Sequence, residues 1–268
     1  MIRTPIKTRW TITIGILSIA VMLTAYTVLS DWQHRRNPDD TTIPTWSQLA
    51  DGVRKACEIN PRSVERWIVV DIEATALRLF WGLLCGILGA VFLGLLMGCF
   101  AWLEAFLLPP LSLLAKVPPT AALAVFFVIV GTDTEMYVAM IAFGVLPTLA
   151  QSVYLAVRDV PDEMLFKANT LGASQAEVIW NVIMRAILPK LIDAVRLQIG
   201  PAMVYLIAAE MVVGDVGFGY RIRLQSRLLN MNIVYPYLAV LAGFGYTMDY
   251  TLRLIQKLAC PWYSQKEG

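Results

Sequence analysis

Histidine is nearly absent: the only one, His34, stands in DWQHRRNPDD, so neither a Ser-His-Asp apparatus nor a histidine-built metal centre can be assembled in the apolar stretches. Those stretches hold no paired acids either, which argues against an intramembrane enzyme. His34 reads as a solvated loop residue. Cysteine is equally sparse. Cys57, Cys85, Cys99 and Cys260 form no CxxC pair, and two lie in apolar runs where a thiol behaves as a small hydrophobe, so no disulfide and no metal site are expected. Charge is scarce too, at 16% of residues with a net +2, and the basic residues are scattered, which excludes a nucleic-acid surface. The motif G-x-x-x-x-G-K-[ST] occurs nowhere. Without that phosphate-cradling loop the chain is expected neither to bind nor to hydrolyse ATP.

What is abundant is hydrocarbon. Of 268 residues 57% are hydrophobic and the mean hydropathy is +0.61, the composition of an integral membrane protein. Six apolar segments approach the 20 or so residues a helix needs to cross a bilayer: Trp10–Ser30, Leu79–Trp102, Phe106–Val130, Met136–Val157, Leu191–Val213 and Val234–Leu258. All should be helices, because an open sheet would leave backbone groups unpaired in lipid. Arg3, Lys7 and Arg9 precede the first span with no acid among them, which places the N-terminus in the cytoplasm. TVLSDWQHRR has no A-x-A-like cleavage site, so this span reads as a retained anchor and not as a signal peptide. Six crossings then put the 158–190 segment and the Lys257/Lys266 tail inside. They also put Arg221, Arg223 and Arg227 outside, against the positive-inside rule, with Asp215 and Glu210 nearby to soften the conflict.

The chain divides into an anchor helix with an external segment (1–78), a membrane core (79–258, with a polar loop at 159–189) and a tail (259–268). Within the external segment, TWSQLADGVRKACEI reads as an interfacial amphipathic helix with Trp46, Leu49, Val53 and Ala56 at helical spacing. Gly82, Gly86, Ala90, Gly94 and Gly98 form a smooth seam at intervals of four, expected to serve internal helix packing. The third span carries Pro109/Pro110 and Pro118/Pro119, and its helix should break near Val117. Freed carbonyls at that depth need protein or water, and Lys116 beside them suits a lining role. Glu210 is expected to pair with a base such as Lys116 or Arg221.

The stretch VPDEMLFKANTLGASQAEVIWNVIMRAILP interrupts this apolar pattern. Pro161 with Asp162 and Glu163 starts a helix; Leu165, Ala168 and Leu171 give it an apolar stripe, and Gly172 ends it. Ser174 and Glu177 make a capping box for a second short helix.

Ala168, Gly172, the Leu188-Pro189 that closes the second helix, and the later IAAEM and GFGYRI together resemble the coupling loop and following span of ABC-importer permeases, most closely the nitrate/sulfonate/taurine branch. The likeness covers most of the chain from Pro44 onward, including LLAKVPPTAALAVFFVIVG and the glycine seam. It implies a type I importer permease fold of about six helices in the bacterial inner membrane. It further implies a second permease copy, as a homodimer, an outer substrate-binding protein, and two cytoplasmic ATPases that hold the ATP and Mg while this chain holds no cofactor. Phe166, Lys167, Ala168, Leu171, Gly172 and Ala173 would meet the ATPase; Lys116, Pro118, Pro119, Thr120 and Glu210 would line or gate the path. Phe166-Lys167 replaces the usual Glu-Ala, and Met184-Arg185 the usual first Leu-Pro. The solute would be nitrate, a sulfonate such as taurine, or a urea- or guanidine-type compound. The competing function is a secondary transporter or channel, which broken helices also suit, but which has no use for a two-helix docking device.

Overall fold

A computed structural model describes residues 8–38, 40–58 and 66–263, and every element in it is helical. Arg3, Lys7, Pro61 and Lys266 lie outside the described residues. In chain order the helices are α1 (Thr8–Arg36), α2 (Trp46–Cys57), α3 (Trp67–Cys99), α4 (Ala101–Leu114), α5 (Leu123–Val130), α6 (Thr134–Arg158), α7 (Asp162–Thr170), α8 (Gln175–Glu177), a π-helical turn at Val178–Ile183, α9 (Met184–Val213), α10 (Phe218–Arg227) and α11 (Met231–Ala259). Helices α1, α3 and α6 are each long and apolar enough to cross a membrane. The 175–213 helix and α10, bent by 55°, make a fourth when taken as one broken span. All six expected segments fall in helices, with three boundaries corrected. Helix α3 starts at Trp67 and not at Leu79, because Asp71, Thr75 and Arg78 before Leu79 are buried and paired. It stops at Cys99, where Phe100 is extended, so Trp102 belongs to α4. The third span is two helices, α4 and α5, separated at 115–122 by the predicted break, while Pro109 and Pro110 sit inside α4 without interrupting it.

The chain forms two compact units, residues 1–67 with 222–238, and residues 68–221 with 239–268. In the first, Thr45 and Gln48 cap α2 reciprocally. Gly52 and Ala56 are buried, Gly52 against the Asn232 backbone, and Trp46 and Val53 are about half exposed. His34 is not a loop residue. It lies in the last turn of α1, half-buried, with Nδ1 2.9 Å from the Ser30 carbonyl.

Helix α6 is the axis of the second unit; its Met136, Met140, Ile141, Val145, Leu149 and Ala150 are fully buried. The α3 seam lies along it. A Cβ on Gly82 would come within 2.7 Å of Ile141, on Gly94 within 2.6 Å of Val153, and on Gly98 within 2.5 Å of Val157. The absent side chains are what let the two backbones approach, so the seam is internal packing, as its spacing indicates.

Candidate functional site

Three constructions on the second unit carry the residues singled out by sequence. The first is the polar loop. Helix α7 closes with a complete Schellman arrangement: the Ala173 N–H donates to the Ala168 carbonyl (3.1 Å), the Gly172 N–H donates to the Asn169 carbonyl (3.0 Å), and Gly172 stands at φ 81°. Only glycine takes that conformation without strain. Ser174 then caps α8: its N–H and hydroxyl both donate to Glu177 Oε2 (2.8 and 2.7 Å), and these bonds hold the Glu177 carboxyl below the ordinary glutamate range. Leu165, Ala168 and Ala173 pack inward on the core. Leu171 does not join the expected stripe. It is 88% exposed, and Phe166 is 68% exposed, so the turn presents two apolar side chains between two fixed helix ends, with Lys167 exposed beside them. A second correction concerns the length of the following helix. It does not end at Leu188-Pro189 but runs from Gln175 through the π turn to Val213, with Pro189 buried inside it; packing of Ile187 and Ile192 outweighs the lost backbone bond.

The second construction is the break between α4 and α5. Tight three-residue bonds replace the α pattern: Lys116 N–H to Leu113 O, Val117 N–H to Leu114 O and Ala121 N–H to Pro118 O, each 3.0 Å. Lys116, Pro118 and Thr120 are exposed; Pro119 is buried. Pro119 packs on Gly144, where a Cβ would come within 2.9 Å of the proline ring and would also meet Tyr205. Gly144 lies about 15 Å along α6 from Thr134, at 1.5 Å per residue, which sets the break against the middle of that helix. Gly144→Val is therefore expected to push α5 off α6 and lower the melting temperature of the purified chain by several degrees, as overpacking costs about 1–3 kcal/mol. An unchanged melting curve would mean that the break yields freely.

The third construction surrounds Glu210. It is fully buried and pairs with neither Lys116 nor Arg221. Arg78 Nη1 donates to its Oε1 (3.0 Å), Thr75 Oγ1 donates to the same oxygen (2.9 Å), and the Gly219 N–H donates to Oε2 (2.9 Å). Arg78 also donates to the Val216 carbonyl (2.9 Å) and stacks 4.1 Å from the Tyr137 ring. Arg221 is engaged elsewhere, its Nε 2.8 Å from Asp71 Oδ2, while Asp71 Oδ1 accepts from the Gly217 N–H (2.9 Å), a glycine at φ 113°. The 214–221 turn is thus fastened to α3 by two buried ion pairs. Sequence reasoning missed Asp71, Thr75 and Arg78. Their signal was present: three polar residues at i, i+4 and i+7 on one face of WIVVDIEATALRLF.

The three constructions do not form one pocket: the described residues place a capped turn, a proline break and a buried ion-pair network apart from one another. The family described as "Binding-protein-dependent transport system inner membrane component" matches residues 86–259. The chain is similar to the taurine transport system permease protein TauC of Escherichia coli (strain K12), 26% identical over 194 residues, covering 72% of this chain and 70% of the relative. It is also similar to the putative aliphatic sulfonates transport permease protein SsuC of Bacillus subtilis (strain 168), 26% identical over 197 residues and covering 74% of this chain and 71% of the relative. A solved inward-facing structure of the MetNI methionine ABC transporter shares the fold, with a TM-score of 0.64 at 19% identity over 72% of this chain and 96% of that one. With a family match that runs from Gly86 of the α3 seam through the Lys116 break and the polar loop to Glu210 and α11, the chain belongs to the inner membrane components of binding-protein-dependent transport systems.

Proposed function

We propose that this chain is the membrane path of an importer for taurine or a related small sulfonate, driven by two ATPase subunits that grip the 162–174 loop. The observation that carries this reading is the exposure of Leu171 on a turn locked by Gly172 and the Ser174 cap. An apolar side chain held out on a rigid polar loop is an anchor awaiting a cleft. The chain itself supplies no phosphate loop, so ATP and Mg belong to the partners. A second copy completes the path, and an external binding protein delivers the solute. The N-terminus then lies in the cytoplasm, residues 1–78 form the anchor and outer segment, and the 159–189 loop faces the ATPases.

Lys116 supports a solute that carries an anionic group, as the sulfonate of taurine does. A lysine at helix mid-depth costs about 2.5–3.5 kcal/mol in lipid, and this one is exposed on the chain surface beside a proline break. Water or a partner must cover it, and a path between two copies provides both. Glu210 belongs instead to the fastening of the 214–221 turn. The test is reconstitution. The chain alone should hydrolyse no ATP; with its ATPase subunits and binding protein in proteoliposomes it should accumulate taurine and not urea, and Lys116→Gln should raise the taurine KM. ATP hydrolysis by the isolated chain, or uptake of urea in preference to taurine, would overturn the reading.

A further inference from the structure

Helices α3, α9 and α11 enclose a groove of about 360 Å³ whose wall is hydrocarbon, from Phe80, Leu83 and Ile87 on α3, Ile199 on α9, and Met248 and Leu252 on α11. Its hydroxyls are turned back into their own helix: Thr247 Oγ1 donates to the Gly243 carbonyl (2.8 Å) and Thr251 Oγ1 to the Thr247 carbonyl (2.7 Å), leaving methyl groups toward the groove. One residue further along each of α9 and α11 the lining changes character. Val195 and Leu252 line the groove, while Arg196 and Arg253 line an adjoining cavity of about 320 Å³ with Asp193, Gln256, Lys257 and Tyr263.

Depth and charge agree with that change. Gln256 Nε2 donates to the Pro189 carbonyl (3.0 Å), next to Lys190, whose Nζ meets Asp159 just past the end of α6 (2.7 Å). The polar cavity therefore sits at the helix ends, where headgroups lie, and the groove sits deeper, where acyl chains lie. Arg196 is held between Asp193 and Asp249 (2.9 and 2.8 Å), and Arg253 uses only Nε on Asp249 (2.9 Å). Three cations, Arg196, Arg253 and Lys257, thus face two carboxylates; among the described residues no carboxylate pairs with Lys257.

We propose that groove and cavity together bind one anionic phospholipid, an acyl chain in the groove and its phosphate on Arg253 and Lys257. The adjoining cations decide against a protein helix: an apolar helix face would cover the groove but leave the charge of Arg253 and Lys257 unmatched, whereas one phospholipid meets both. A free phosphate would use the cations but leave the hydrocarbon wall unexplained. Because acyl chains are in hydrocarbon either way, selectivity comes from the headgroup, and each Lys or Arg near the surface contributes about a fivefold preference for anionic lipid.

The site stands independently of the transported solute, and its test reads no uptake. The full chain, purified in its transport complex and delipidated, is titrated with dioleoyl phosphatidylglycerol and with dioleoyl phosphatidylcholine, bound lipid being counted by native mass spectrometry. Phosphatidylglycerol should bind more tightly. Lys257→Gln should weaken it about fivefold without altering phosphatidylcholine, Lys257→Arg should restore it, and Thr251→Trp should exclude both by filling the groove. Tail-less glycerol phosphate should not compete. Equal binding of the two lipids, an unaffected Lys257→Gln variant, or displacement by glycerol phosphate would overturn the proposal. So would separation of the permease pair by Thr251→Trp, which would assign the groove to the second copy.

Discussion

Glu210→Ala is expected to destabilise the protein by about 3–5 kcal/mol, because removing one member of a buried ion pair leaves the other charged and unsolvated. Here the group left behind is Arg78, only 8% exposed and keeping just the Val216 carbonyl and a 3.9 Å approach to the exposed Asp215 as polar partners, and the Thr75 hydroxyl and Gly219 N–H lose their acceptor as well. Thermal unfolding in detergent should show the loss, and cleavage by protease within 214–221 should report the released turn. The paired replacement Arg78→Met with Glu210→Leu should recover much of the stability, since an apolar pair of similar volume carries no desolvation cost. A single variant that melts like the parent would mean that water already reaches this network.

Leu171→Asp is expected to abolish coupled uptake while leaving the permease folded. Leu171 touches nothing that the fold depends on, being 88% exposed, so its loss should not move the melting temperature. In an ATPase cleft the same change forfeits about 1.5–3 kcal/mol of apolar burial and inserts a carboxylate, a combined penalty of 100-fold or more in subunit affinity at 1.4 kcal/mol per decade. Co-purification of the ATPase with Leu171→Asp at wild-type yield would remove the loop from the docking role. Gly172→Val separates shape from contact. A Cβ there meets nothing within 4 Å, so the only cost is a positive φ of 81°, about 1–2 kcal/mol, and coupling should weaken without assembly being lost.

The parts of the design set by local chemistry were legible in the sequence. Gly172, the Ser174 and Glu177 box and the break beside Pro118 depend on residues within a few positions of one another, and each lies where turn and proline chemistry place it. The glycine seam was legible because its period alone defines a face. Partner choice across long separations was not. Glu210 had two plausible bases in view, and the one it takes, Arg78, stands on a helix whose start was misplaced because hydropathy counts a buried Asp71 or Arg78 as a reason to end a span. Leu171 failed for a related reason: helical spacing says which residues share a stripe, but the positive-φ turn at Gly172 lies one position away and lifts the last of them off the surface.

The α3 seam has a mechanical consequence. Gly82 meets Ile141, Gly86 Val145, Gly94 Val153 and Gly98 Val157, so the two helices advance in step, four residues against four. A repeat longer than 3.6 residues makes paired helices wind about each other with a right-handed twist, and threads cut at one pitch cannot slide without turning. Each glycine is a slot for one residue of α6, and a single-residue deletion between Gly86 and Gly94 would rotate the far half of α3 by about 100°, turning bulky side chains into slots sized for none. Helices α3 and α6 therefore move as one screw-locked strut, and whatever bending a transport cycle demands of this unit falls on the 115–122 break and the π turn at Val178–Ile183.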